Sequence, residues 1–200
     1  MKKTLFLLLF LISEVSSASV IVGNDAINRS AHDSWSNFVQ GLTTETFLTS
    51  GTVASWDVFT NNSGTLGMLL LRNTSGSAYE IIGADFETAD AGLNSFTFTP
   101  DTGIADVLAG DILGLFIGTS KVDFDFVSSG SDVANWCGSN GCVTSGNTSL
   151  LDAGTTINLT GQGNRTYSAN VTMVPEPSII ALMGLGLAGL GFARRRKQKA

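Results

Sequence analysis

His32 is the only histidine of the chain, so a serine or cysteine hydrolase built on this sequence would need it as general base. It lies in a polar stretch near the amino end, with no candidate nucleophile beside it. A polar surface residue is therefore the favoured interpretation. Two carboxylates could instead hydrolyse glycosidic bonds, but that chemistry depends on their separation in space, and the order of residues selects no pair. The sequence favours a protein that is not an enzyme and uses no cofactor.

Asp123 and Asp125 alternate with phenylalanine in KVDFDFV and therefore face the same side of a predicted strand. Together with Asp101, Asp106 and Asp111 in neighbouring predicted loops, they offer oxygen atoms of the kind that hold Ca²⁺. No spacing matches an EF-hand or a repeated Asp-Gly motif. A solvated strand face without a metal is the favoured interpretation, and Asp123 and Asp125 are the candidates if calcium binds.

Cys137 and Cys142 are the only cysteines, and they enclose Gly-Ser-Asn-Gly. In an oxidising compartment they predict a disulfide, with two free thiols as the alternative. Closing so short a loop would stabilise the fold by roughly 2 kcal/mol in the chain-entropy model. The loop would present Trp136, whose aromatic face suits a sugar ring. The alternative is that Trp136 packs in the core, as we expect of Trp56.

Alkylation of the exported protein tests this disulfide. Because a disulfide has no free thiol, we expect mass spectrometry to find no alkylated cysteine before reduction and two after it. Two alkylated cysteines in the unreduced protein would contradict the pairing.

The central region is strongly acidic, although the whole chain has a formal net charge of only −6. The two ends carry seven of the 11 basic and two of the 17 acidic residues. Four basic and 15 acidic residues are left between them, a net charge of about −11. Four scattered basic residues form no phosphate-binding patch, so nucleic-acid binding is excluded. An acidic surface attracts divalent cations instead.

Residues 1–18 have the composition of a secretory signal peptide. Two lysines precede the apolar run TLFLLLFLI, and small residues follow it. They predict a cut between Ala18 and Ser19. The apolar run is too short for a retained membrane span. We therefore expect the chain from Ser19 onward to be exported.

The carboxyl end, residues 174–200, has three parts in a fixed order. It begins with Val174, Pro175, Glu176 and Pro177, which are extended because proline fixes φ and disfavours helix in the preceding residue. The apolar run of residues 179–193 would form a helix about 22 Å long, shorter than the ~30 Å core of a bilayer. A basic end follows, and it contains Arg194, Arg195, Arg196 and Lys197. Such charges stop translocation. The tail therefore predicts a short transmembrane helix held transiently in the inner membrane, with a plain single-span anchor as the alternative.

This tail resembles the PEP-CTERM sorting signal of exported bacterial proteins. The Pro-Glu-Pro motif, the short apolar segment and the basic end occur in that order within the last 27 residues. The resemblance implies recognition by an exosortase, a membrane-embedded cysteine transpeptidase, and removal of the tail near the motif. It further implies an envelope that often contains extracellular polysaccharide or a biofilm matrix. It implies nothing about the central region.

Short apolar runs between Gly, Asn and Ser clusters predict strands and no helix in the central region. GTVASWDVFT at residues 51–60 alternates, whereas LGMLLLR and ILGLFI at residues 66–72 and 112–117 are apolar on both sides. Residues 24–40 are polar, with Trp35 and Phe38 as expected anchors. Residues 128–147, rich in Gly, Ser and Asn, predict a long loop.

Eight or nine such strands predict an all-β domain over residues 19–173, a single antiparallel β-sandwich similar to the jelly-roll-like domains of exported proteins. A closed barrel is the alternative. We expect a non-catalytic envelope or extracellular-matrix protein that contacts polysaccharide or another surface. The alternatives are a small extracellular glycan hydrolase and a membrane-anchored surface protein.

Overall fold

The structure is a computed structural model that describes residues 18–127, 133–136 and 149–176. The described part confirms the all-β prediction, since it contains strands, one 3₁₀ helix at Ser149–Leu151 and no α-helix. The strands are β1 Val20–Gly23, β2 Ala31–His32, β3 Phe38–Thr46, β4 Gly51–Thr60, β5 Gly64–Ser75, β6 Ala78–Ala89, β7 Gly92–Thr97, β8 Thr102–Gly103, β9 Asp106–Val107, β10 Ile112–Ile117, β11 Asp123–Phe126, β12 Val133–Trp136, β13 Thr156–Asn158, β14 Gly161–Gly163, β15 Arg165–Tyr167 and β16 Ala169–Pro175.

These strands form three antiparallel sheets. The small sheet has the order β1-β16-β4-β7, and β9 pairs with β4 at its end. The large sheet has the order β13-β6-β5-β10-β3-β12-β14, and β8 pairs with β6. The third sheet has the order β15-β11-β2. β1 and β16 are the first and last strands of the described chain, and they pair in the small sheet. The two ends of the described domain therefore lie close together.

The small and large sheets share one apolar core, which makes the domain sandwich-like. Its largest member is Trp56 of β4, which is fully buried. Leu66, Met68 and Leu70 of β5 reach the same core, as alternate residues of a strand must.

The large sheet also buries its second face. Leu69 of β5 and Phe116 of β10 belong to a separate apolar cluster. This cluster also contains Leu151 of the 3₁₀ helix and Ile157 of β13. β5 and β10 lie side by side inside the sheet. Because both of their faces are covered, their sequences are continuous apolar runs, and this confirms the prediction made for LGMLLLR and ILGLFI.

Several strands lie where the sequence predicts none, and the two longest of them are β3 and β12; the others are the short strands β2, β8, β9 and β14. β3 begins at Phe38, at the end of the polar residues 24–40, and lies between β10 and β12. Its sequence FVQGLTTET is largely polar. It lacks a clear alternation of apolar and polar residues because the polar Gln40 is buried like Phe38, two residues before it. β12 lies within the predicted loop of residues 128–147. Of the two expected anchors, Phe38 is buried, whereas Trp35 is 44% exposed.

Candidate functional site

The first two residues of the Pro-Glu-Pro segment belong to a paired strand. β16 continues through Val174 and Pro175, which lie opposite Thr52 and Gly51 of β4. Proline donates no N–H, so Pro175 fits at the end of a strand. Glu176, the next residue, is exposed and outside the strand. The motif is therefore attached directly to the small sheet.

The amino end of the described chain lies beside this motif. β1 pairs with β16, and Val20 is opposite Met173. Ala18 and Ser19, which flank the predicted signal cut, are exposed. Since the two strands are antiparallel, the start of β1 and the end of β16 lie at the same end of the small sheet.

Several predicted site residues lie outside the described residues. They are the signal peptide up to residue 17, Cys137, Cys142, Pro177, Arg194, Arg195, Arg196 and Lys197. Trp136 is the last residue of β12, with its backbone opposite Val39.

None of the helical structure within residues 18–127, 133–136 and 149–176 has the length and apolar character needed to cross a bilayer.

The two calcium candidates contact the segment that leads into β2. Asp125 accepts hydrogen bonds from the Ser30 backbone N–H at 2.9 Å and from its hydroxyl at 2.7 Å. Arg29 Nη1 donates to the other oxygen of Asp125 at 3.1 Å. These Ser30 and Arg29 donors lower the pKa of Asp125. The backbone N–H of Arg29 donates to Asp123 at 3.4 Å.

The two aspartates differ in burial. Asp123 is 3% exposed, and burial raises its pKa, whereas the side chain of Asp125 is 41% exposed. A solvated face thus describes Asp125 but not Asp123. Phe126, which alternates with them, is 70% exposed at the end of β11. Among the described residues, no three His, Cys, Asp or Glu side chains are grouped to hold a metal ion.

A buried polar cluster around Asp33 joins the third sheet to the segment between β2 and β3. Asp33 Oδ1 accepts hydrogen bonds from Arg165 Nη1 at 2.8 Å and from the Tyr167 hydroxyl at 2.9 Å. The guanidinium of Arg165 lies over the Phe124 ring, 4.2 Å from its centre. No local sequence pattern predicts this cluster. Its one available signal is that Arg165 is among the four basic residues of the acidic central region.

Burial dominates the electrostatics of the cluster. It raises the pKa of Asp33 to about 6, against the opposing effects of the Tyr167 hydrogen bond and of the Arg165 and Lys121 charges. Burial also raises the pKa of Tyr167 and lowers that of Lys121. Asp33 Oδ2 is buried without a hydrogen-bond partner among the described residues. The cluster therefore holds a carboxyl group whose ionisation opposes folding.

We expect the domain to be more stable at pH 5 than at pH 7.5. Because the pKa of Asp33 is about 6 when folded and 3.8 ordinarily, the folded state binds this proton more tightly than the unfolded chain. The stabilisation is complete below pH 3.8 and is lost as the pH rises through 6. Asp33 alone should raise the free energy of unfolding by about 1 kcal/mol when the pH falls from 7.5 to 5.

Urea unfolding at the two pH values measures this difference. The Asp33→Asn variant carries no titrating group at this position and should lose most of the gain. Burial raises the pKa of Asp85, Glu87 and Asp123 as well, so a smaller gain in the same direction should persist. A wild-type domain that is less stable at pH 5 would contradict the prediction.

A small cleft opens beside the Asp33 cluster, between the end of β3 and β15. It encloses about 220 Å³, part of which is open solvent, less than the ~300–1,000 Å³ of most small-molecule sites. Its lining residues are Asn24, Leu42, Thr44, Glu45, Arg165, Thr166 and Tyr167. Glu45 is the one carboxylate among them, and it accepts a hydrogen bond from Asn24 Nδ2 at 2.9 Å. The described cleft lining therefore lacks the paired carboxylates of a glycosidase.

Comparison with known proteins identifies the tail. Residues 174–197 match the family model described as the PEP-CTERM protein-sorting motif. No curated protein and no solved structure matches the chain significantly. The match covers the last residues of β16 and the segment that follows, and it confirms the resemblance found in the sequence. This chain carries a PEP-CTERM protein-sorting motif, which marks an exported protein that is targeted to an exosortase.

Proposed function

We propose that this protein is a non-catalytic component of the cell envelope or extracellular matrix. An exosortase recognises residues 174–200 at the inner membrane and removes the tail, and the β domain remains as the displayed product. The domain then contacts extracellular polysaccharide or another surface. The observation that carries the proposal is that β16 leads directly into the matched sorting motif. Removal of the tail beyond this strand leaves the domain intact.

A jelly-roll-like connection of the strands is part of this proposal. The eight principal strands are β1, β3, β4, β5, β6, β7, β10 and β16. Numbered from one to eight in chain order, they give the small sheet the order 1-8-3-6 and the central part of the large sheet the order 5-4-7-2. Alternation of this kind between two sheets is the strand order of a jelly roll. This fold is common in proteins that bind other surfaces, although fold alone does not determine function.

The polar groups of the described domain support a structural rather than a catalytic role. Asp33, Asp111 and Asp125 each accept hydrogen bonds from an arginine. Trp56 Nε1 donates to Asp85 at 2.8 Å inside the core. These carboxylates hold segments of the chain together. A net charge of about −11 in the central region keeps such a domain soluble outside the cell.

The mass of the mature carboxyl end tests the sorting role. In cells that contain the exosortase, we expect the protein to lose the tail, whereas cells without the enzyme should keep it. Replacing both Glu176 and Pro177 by alanine should abolish the loss, because the motif that the enzyme recognises is then absent. Intact-mass spectrometry of envelope fractions measures each outcome.

The matched control is Pro100→Ala, which removes the proline outside the motif and should leave processing unchanged. Retention of the tail in cells with the enzyme would contradict its removal and favour a single-span anchor. The mature protein should also bind polysaccharide without releasing reducing sugar. Steady release of reducing sugar would contradict the non-catalytic role and support a glycan hydrolase.

A further inference from the structure

The sorting motif begins inside the small sheet, and this restricts what an enzyme can reach. β16 lies between β1 and β4 rather than at an edge. Val174 and Pro175 are in register with Thr52 and Gly51, and Met173 is paired with Val20 on the other side. Met173 is fully buried. The chain therefore leaves the sheet only after Pro175.

Gly51 permits the close approach that holds this end in place. A Cβ atom at position 51 would lie 2.5 Å from the carbonyl oxygen of Val174 and 2.9 Å from Cα of Pro175. Both are backbone atoms and cannot turn away. On its far side, β4 is fastened by Val53 N–H, which donates to the Ala105 carbonyl at 2.9 Å, and by the Thr52 hydroxyl, which donates to Asp106 at 2.6 Å.

Processing enzymes bind an extended substrate through its backbone, often as an added strand. A residue whose backbone is already paired with β4 cannot offer that edge to an enzyme at the same time, and the sheet hinders its entry into a cleft. To reach a bond before Pro175, an enzyme would have to detach Val174 and Pro175 from Thr52 and Gly51. It would also loosen the end of β16 next to the buried Met173. Glu176 carries no such cost, because it lies outside the strand and is exposed.

We infer that the fold, together with the tail sequence, selects the bond that is cut: the exosortase is confined to peptide bonds on the carboxyl side of Pro175. The mature domain consequently keeps the whole of β16. In the reaction, one C–N bond of the chain breaks and the acyl group passes to the enzyme nucleophile and then to water or an amine. The tail leaves with a new amino terminus. This inference rests on the proposed removal of the tail.

The first experiment measures the protection without the exosortase. The full chain in detergent is treated with proteinase K, and the masses of the resistant fragments give their carboxyl ends. We expect fragments that end at or after Pro175. In Gly51→Val, the separated strands should allow cuts before Val174, whereas Ala54→Val, at an exposed position of the same strand, should keep the wild-type end. Wild-type fragments that end before Pro175 would overturn the inference.

The second experiment uses cells that contain the exosortase and needs no core substitution. Gly-Ser-Gly-Ser inserted between Met173 and Val174 moves the unchanged motif out of the sheet. We expect wild-type protein to end at or after Pro175, and the insertion variant to show additional ends before Pro175. A single cut at the same motif bond in both proteins would show that the tail alone selects the bond. If neither protein is cut, the proposed function fails, while the protease experiment still decides whether the motif is protected.

Discussion

Replacing Arg72 by alanine is expected to destabilise the domain by about 3 kcal/mol, because it leaves a buried carboxylate without its partner. Arg72 Nε and Nη2 donate to the two oxygens of Asp111 at 2.9 and 2.7 Å. The Asp111 side chain is 4% exposed. Its Oδ2 also accepts a hydrogen bond from the Leu108 N–H at 2.8 Å. This single N–H cannot compensate for a buried negative charge once Arg72 is removed. Urea unfolding at pH 7 measures the loss.

The double variant Arg72→Ala with Asp111→Ala is the control. It removes the carboxylate along with its partner, so we expect it to be no less stable than Arg72→Ala alone. A double variant that loses the sum of two large single effects would show that the pair does not act as a unit. A single variant within 0.5 kcal/mol of the wild type, roughly the scatter of surface substitutions, would contradict the prediction.

Replacing Trp56 by phenylalanine is expected to lower the free energy of unfolding by about 3 kcal/mol. The larger indole ring is fully buried between the sheets, and its Nε1 donates to Asp85 Oδ2 at 2.8 Å. Phenylalanine fills less of the core and donates no hydrogen bond, so Asp85, which is 2% exposed, loses this donor. Burial already raises the pKa of Asp85. The loss should therefore shrink at pH 5, where the unpaired carboxyl is more easily protonated.

Trp35→Phe is the matched control for this substitution. Trp35 is 44% exposed and contacts Phe38 edge-on, with ring centres 6.3 Å apart. We expect its stability to change by less than about 0.5 kcal/mol. Thermal or urea unfolding of the two variants at pH 7 and pH 5 gives both comparisons. Equal losses in the two variants would contradict the core role assigned to Trp56.

The elements that the sequence predicts well are those with a strong local pattern. GTVASWDVFT and ILGLFI are strands over the residues predicted, Gly51–Thr60 and Ile112–Ile117. Their apolar residues alternate or run continuously according to how many faces are buried. The tail is equally legible, because three kinds of residue occur there in a fixed order, and the family match begins at Val174 as expected.

The missed features depend on residues that are distant in the sequence. Asp33 and Arg165 are 132 positions apart, and nothing near either residue predicts the other. β3 is mostly polar, and only its place between β10 and β12 makes it a strand. The extension of β16 through Val174 and Pro175 depends on β4, which supplies the facing residues. Local pattern predicts the apolar and alternating strands of this domain, whereas neighbouring strands decide which polar segments pair and which polar residues are buried.

The position of β16 has a consequence for the order in which the domain assembles. A chain that emerges from a membrane channel amino end first presents β1 early and β16 last. Until residues 169–175 are free, β1 lacks its partner and β4 lacks one of its two long neighbours. The apolar runs of β5 and β10 emerge in the meantime, and such runs aggregate readily while uncovered. Completion of the small sheet therefore waits for the end of translocation, and a holding chaperone outside the membrane would protect the chain until then.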